Sequence, residues 1–306
     1  MLAFIVGSRR YPIRSCFYLT EESRTMTETP QLLGVCSWSL KPDSPESLAE
    51  TLLRLEIPAC QLALSPVVAG EPGWEHAVEI LRDRGITILS AMMSTKGEDY
   101  STLETIRQTG GLTPDATWPD NLEHAHRVAA FAQANGIALV TLHAGFLPHG
   151  AADPRYTIMV DRLRNVADCF ADRGVKLGLE TGQEHAGTLL GLLEVLDHPS
   201  VSVNFDPANM LLYGMGDPVD ALRELAPRVC QVHIKDAVVT SEPGTWGQEV
   251  PVGEGAVDWA AFFLVMEEYG LDVNLIIERE AGPSREEDIL TARDLVLAHV
   301  NARSAR

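Results

Sequence analysis

From Leu32 to the C-terminus, strand-length apolar runs alternate with helix-length amphipathic segments eight times, and no Pro/Ser-rich linker divides them. The strand candidates are LLGVCSWS (32–39), ACQLALS (59–65), ITILSAMM (86–93), IALVTLHA (137–144), KLGLET (176–181), VSVNFD (201–206), RVCQVHI (228–234) and DVNLIIE (272–278). Helical spacing of apolar residues marks stretches such as SPESLAETLLRLE, NLEHAHRVAAFAQANG and WAAFFLVMEEYG, with a last helix from about Ser284 to Ala302. Several of them end at a glycine (Gly85, Gly136, Gly174, Gly270), the residue that tolerates a left-handed helix end. Strands that alternate with helices must pair in parallel, so the chain is α/β. Eight such units predict a single (β/α)8 barrel. An open doubly wound sheet is the alternative, and it gathers the ends of strands five to eight around one point less naturally.

The last four strand runs share a second property. They end in Glu180, Asp206, His233 and Glu278, and the first two gaps each match one strand–helix unit. Side chains alternate along a strand, so Gly178 shares a face with Glu180, Asn204 with Asp206, Gln231 with His233, and Asn274 and Ile276 with Glu278. The intervening positions are mostly Leu, Val and Ile, suited to packing against helices, which leaves small and polar residues for the lumen. A lone acid is usually a solvated surface group and a lone histidine a satisfied core residue. Four together at the C-terminal ends of neighbouring strands predict one divalent-metal site over the barrel mouth. Oxygen donors with one imidazole suit Mn²⁺ or Mg²⁺. Glu280 is a rival of the same parity, but it lies beyond the apolar run.

Two connections are longer than the rest, from Ser94 to about Asp120 with Tyr100 and Trp118, and from Asp236 to about Val257 with Trp246. Both follow strands and are expected to cover the catalytic face.

Composition removes other classes. The 306 residues carry 24 Lys plus Arg against 43 Asp plus Glu, a net charge of −19, which repels nucleic-acid phosphates. Five scattered cysteines (Cys16, Cys36, Cys60, Cys169, Cys230) form no CxxC and read as reduced thiols of a cytoplasmic protein. No apolar run is long enough to span a membrane. MLAFIVG is too short for a signal peptide, and no apolar segment of adequate length follows Arg9-Arg10. Residues 1–26 are therefore expected to be an upstream extension, with Met26 as the functional start and residues 27–306 as the barrel domain.

The motifs GLETGQE, VNFDPANM, QVHIKDA and IIEREAG, with PVGEGAVDW before the last, resemble the xylose isomerase-like TIM barrel superfamily of sugar phosphate isomerases and epimerases. The resemblance runs from about residue 32 to 300 and is nearest the branch containing D-tagatose 3-epimerase and the inosose-metabolising enzymes. It implies one Mn²⁺, Mg²⁺, Co²⁺ or Zn²⁺ held by Glu180, Asp206, His233 and Glu278. The implied substrate is a small sugar or cyclitol, and homo-oligomerisation is allowed.

Such a site polarises the carbonyl of a hydroxyketone, and the neighbouring C–H becomes acidic. Glu180 and Glu278, on either side of the other two ligands, are expected to remove and return the proton through an enediolate. His143, Gln183, Asn209 and Lys235 are candidate substrate contacts. For His143 a structural role is an equal reading, and for Lys235 the ordinary reading is a surface ion pair with Asp236. Tagatose 3-epimerase-like enzymes often carry His where this chain has Asn209, which argues against simple ketohexose 3-epimerisation. The same enediolate can expel a leaving group, so a lyase or dehydratase acting on a keto-sugar, keto-glycoside or keto-cyclitol is the alternative, with His143 as its acid. The apurinic endonuclease branch expects histidines where strands two and three here end in LALS and SAMM. A metal-free scaffold would leave Glu180, Asp206 and Glu278 as buried like charges, at heavy cost. The loop with Gly253 and Gly255 has Glu254 between them and only Arg279 nearby, so the substrate is expected to be unphosphorylated.

Overall fold

The computed structural model describes residues 33–304, apart from 149, 151 and 243. The expected extension at residues 1–26 and Cys16 lie outside the described residues. Eight parallel strands close a barrel: β1 (Leu33–Cys36), β2 (Ala59–Ala63), β3 (Thr87–Met92), β4 (Leu139–Leu142), β5 (Lys176–Glu180), β6 (Val201–Phe205), β7 (Val229–Ile234) and β10 (Asn274–Ile277). Around the ring the order is β1-β10-β7-β6-β5-β4-β3-β2. Two further strands, β8 (Asp236–Val238) and β9 (Gln248–Val250), form a separate antiparallel hairpin. The predicted (β/α)8 architecture is the observed one.

The alternation of side chains builds two compartments. Leu177, Leu179, Val203, Phe205, Val232, Ile234, Leu275 and Ile277 are buried among the surrounding helices. Each such side chain contributes about 1.5–3 kcal/mol when removed from water. The intervening positions face inward and are mostly small or polar, Ile276 excepted: Gln61, Thr141, Asn204 and Gln231 are buried, with Gln61 donating to Thr141 and Gln231 to Asn204. Register aligns them, with Glu180 opposite Asn204 and Asn204 opposite Gln231.

Helix ends follow the sequence signals. Gly85, Gly136, Gly174 and Gly270 all adopt positive φ. Ser44, Asp153, Asp217 and Asp258 cap helices at Pro45–Arg54, Pro154–Ala171, Pro218–Leu225 and Trp259–Tyr269 by accepting free N–H groups. Among the described residues, no helix is long and apolar enough to cross a membrane.

Several boundaries differ from the sequence reading. The first strand stops at Cys36, and Ser37–Leu40 turns into a 3₁₀ helix. Ser37 Oγ accepts the N–H of Ala63 and Ser39 Oγ that of Arg279, so buried hydroxyls pull the chain out of the sheet. The connection after β3 contains a helix, Leu103–Thr109, capped by Thr102, and the next helix already starts at Trp118. Trp118 is thus no loop residue: it packs against the core with the Arg162 guanidinium over its ring. The long connection after β7 contains the β8–β9 hairpin. Between β6 and β7 there are two helices, Pro207–Leu212 and Pro218–Leu225, where one was expected.

Candidate metal centre

The strand ends deliver their side chains to one buried point. Glu180, Asp206, His233 and Glu278 each offer a ligand atom, and these atoms all lie within 4.8 Å of one another. His233 Nδ1 is 3.5 Å from Glu180 Oε1, 3.7 Å from Asp206 Oδ2 and 3.2 Å from Glu278 Oε2, yet it makes no aligned hydrogen bond.

Local structure explains why the Asp206 and His233 ligand atoms lack hydrogen-bond partners. Asp206 caps the helix Pro207–Leu212, with Pro207 in the first turn, and its Oδ1 accepts the N–H of Asn209 at 3.0 Å. That bond turns Oδ2 toward the cluster, where it is buried without a hydrogen bond. His233 Nε2 lies 2.8 Å from Gln61 Oε1. An amide oxygen only accepts, so this contact keeps a proton on Nε2 and makes Nδ1, which faces the carboxylates, the nitrogen that gives up its proton when the ring becomes neutral. Asn204 Nδ2 is also 3.1 Å from Nε2. We assign the proton from the shorter contact, because Asn204 Nδ2 has its own acceptor in Glu180 Oε2 at 3.0 Å.

The two glutamates are held differently. Glu180 accepts from two neutral amides, Asn204 at Oε2 and Asn209 at Oε1, both at 3.0 Å. Glu278 accepts from the Trp38 indole at 2.7 Å and from the Lys235 ammonium at 2.9 Å. Burial opposes ionisation of both, but His143 and His233 outweigh it at Glu180, and Lys235 and His233 hold Glu278 well below the usual carboxylate range. Burial pushes Asp206 up to about 6 despite Lys235. Burial also disfavours charge on His233, but the carboxylates of Glu180 and Glu278 more than compensate and raise it well above the ordinary imidazole range.

The donor set fits a divalent cation. With His233 neutral, as a ligand imidazole must be, three carboxylates and the Lys235 ammonium leave a formal charge of about −2 in a buried volume, and an unpaired charge there is costly. Two buried polar atoms without a hydrogen-bond partner, His233 Nδ1 and Asp206 Oδ2, face the same point. Cys36 Sγ lies on the far side of the imidazole, 3.9 Å from Nε2, and burial holds its thiol protonated.

The remaining candidates fall into two groups. His143 lies just beyond β4 with Nε2 3.5 Å from Glu180 Oε1, and its buried Nδ1 has no partner. Asn209 and Lys235 touch the carboxylates directly, whereas Gln183 turns away and donates to Tyr213 Oη at 3.3 Å. Lys235 is no surface pair with Asp236, contrary to the ordinary reading. Both are buried, and Nζ bonds Glu278 and the outer Glu280. Asp236 instead accepts four N–H groups, from Ala237, Gly253, Val257 and the Trp259 indole. The Glu280 side chain stays half exposed, outside the cluster. Sequence reasoning passed over Trp38 and Gln61. Gln61 left a signal, a lone amide inside the apolar run ACQLALS, while Trp38 left none because its position depends on the 3₁₀ turn.

Known proteins place the chain. It is 32% identical over 107 residues to the uncharacterized protein YihM of Escherichia coli, covering 34% of this chain and 32% of that one. It is 25% identical over 148 residues to an inosose dehydratase of Clostridium botulinum, covering 43% of this chain and 49% of that one. The matched stretches therefore span a third to a half of these curated relatives. A xylose isomerase domain protein from Planctomyces limnophilus superposes with a TM-score of 0.78 at 28% identity, over 90% of this chain and 97% of that one. The profile of one family matches residues 67–298, most of the barrel: the chain belongs to the xylose isomerase-like TIM barrel family.

Proposed function

We propose that this protein is a divalent-metal-dependent sugar isomerase or epimerase, moving a proton α to a carbonyl of a keto-sugar or related polyol through an enediolate. Glu180, Asp206, His233 and Glu278 would hold the ion. A Mn²⁺ or Mg²⁺ ion there would supply Lewis acidity toward a substrate carbonyl. The observation that carries the reading is the pair of ionised carboxylates on opposite flanks of one site. Around the ring, β5 with Glu180 and β10 with Glu278 are separated by β6 and β7, which bear Asp206 and His233.

Glu180, whose side-chain hydrogen bonds come from neutral amides and not from an ammonium, is the stronger base. Glu278, paired with Lys235, is the better conjugate partner to return the proton to the opposite face or the neighbouring carbon. Lys235 also keeps a positive charge beside the carboxylates as negative charge develops on substrate oxygen. An unphosphorylated substrate is supported by the loop after β7. The N–H of Gly253 is taken by Asp236, and Arg279 is engaged by both Glu249 and Asp288.

A dehydratase is the second reading. It is favoured by His143, whose Nε2 approaches Glu180 while Nδ1 lacks a partner, and by the inosose dehydratase relative. Incubating the Mn²⁺-supplemented protein with a panel of ketoses, aldoses and keto-cyclitols in D₂O separates the two. Deuterium next to the carbonyl with the formula otherwise unchanged supports isomerisation or epimerisation, and loss of water supports the dehydratase. Glu180→Gln and Glu278→Gln should each abolish exchange, and exchange surviving both would refute the assignment of the bases.

A further inference from the structure

Three aromatic side chains meet at the barrel mouth from three separate connections. Phe146 follows β4, Tyr213 ends the helix after β6, and Trp246 lies in the β8–β9 hairpin. The Tyr213 ring packs edge-on against Phe146 at 5.7 Å and against Trp246 at 4.8 Å. All three are half-buried. Among the described residues, the partly buried Trp74 and Trp118 pack against the hydrophobic core, but none of these three does. They pack on one another instead, which leaves apolar ring surface in water.

The wall is fixed in place and tied to the candidate centre. Gln183, three residues beyond Glu180, donates to Tyr213 Oη. The N–H of Gly247 bonds Leu212 O at 3.0 Å, holding the hairpin tip with Trp246 against the helix that Asp206 caps. The Arg107 guanidinium lies 4.7 Å over the Phe146 ring. Rings held in advance lose little entropy on binding a ligand, so exposed aromatic surface here favours recognition.

We propose that Phe146, Tyr213 and Trp246 form an outer subsite that stacks on the second ring of a glycoside, so that the substrate is a keto-glycoside and not a free monosaccharide. The occupant follows from the chemistry of the two zones. The centre is lined by carboxylates, amides and an ammonium that suit a polyhydroxylated, oxidised ring. The wall offers apolar faces that suit the C–H face of a pyranose or an aromatic aglycone. This inference rests on the sugar-directed reading of the centre, but binding can test it without turnover.

Isothermal titration of the Mn²⁺-supplemented protein with glucose, cellobiose and 4-nitrophenyl β-D-glucoside compares one ring with two. Both glycosides should bind about tenfold more tightly than glucose. Trp246→Ala should remove that preference and leave glucose binding unchanged, while Trp246→Phe should keep most of it. Thermal melts report folding, and Trp246→Leu, which keeps apolar volume but lacks a ring, stands in if the alanine variant unfolds. Equal affinity for one and two rings, no saturable glycoside binding, or equal weakening of all three sugars would overturn the proposal. A protein that prefers glycosides but exchanges no deuterium on any keto-sugar would retain the subsite and lose the isomerase reading.

Discussion

Asp236 gives the sharpest test of how the mouth is built. Its carboxylate accepts N–H groups from Ala237 at 2.9 Å, Gly253 at 2.9 Å, Val257 at 3.2 Å and the Trp259 indole at 2.9 Å, all but the Gly253 bond in a buried setting. Asp236→Ala strands four donors. At about 1–3 kcal/mol per unsatisfied buried group, discounted because water can enter the vacated space, the loss is about 4 kcal/mol. With an unfolding entropy near 2.1 cal/mol/K per residue over roughly 270 residues, that is a fall in Tm of about 7 °C. Asp236→Asn keeps one acceptor and should lose about half as much. A double-mutant cycle with Gly255 adds a second constraint, because a Cβ on Gly255 would stand 1.9 Å from Asp236 Oδ1. Gly255→Ala should therefore cost at least about 1 kcal/mol less in the Asp236→Ala background. Scanning calorimetry and urea titration provide both numbers. A Tm drop for Asp236→Ala under about 2 °C, or strict additivity of the pair, would refute the claim that this carboxylate organises the loop.

The other predictions concern the metal and the cover. Mn²⁺ or Mg²⁺ should raise the Tm of the native protein, by about 2.7 kcal/mol of stabilisation at a hundredfold excess over Kd, and His233→Ala should abolish the shift. No ion-dependent shift in the native protein would count against a metal centre. His233 holds its proton above the ordinary imidazole range and Asp206 titrates at about 6, so a binding cation must displace protons. Ion affinity should rise from pH 6 to 8 with about one proton released per ion, measured by titration in buffers of different ionisation enthalpy, and a flat profile would contradict the Nδ1 assignment. Gly111 sits at φ +66° with backbone of Ala144 and Gly145 about 2 Å from where a Cβ would lie. Gly111→Ala should destabilise the fold by more than about 3 kcal/mol in urea titration, and a near-neutral result would mean that the cover is not packed on the β4 loop.

Local pattern alone carried the architecture because helix and strand periods differ and eight repeats leave few ways to pair. The run ending VNFDPAN was legible to single-residue detail: Asp before Pro starts a helix, and strand parity aims the same Asp inward. Glu180, His233 and Glu278 were legible for the same reason, each closing an apolar run. Their chemical settings were not. Gln61 is distant from His233 in sequence and reaches it only because the barrel closes, and that contact fixes which imidazole nitrogen is free. Trp38 meets Glu278 only after two serine hydroxyls bend the first strand into a turn. The sequence put Lys235 beside Asp236, but at the junction between β7 and β8 the two side chains part, so Lys235 joined Glu278 and Asp236 joined the loop. Periodicity along the chain therefore determined which residues point inward. Ring closure, which joins residues far apart in sequence, decided what each one touches and hence its protonation and its partner.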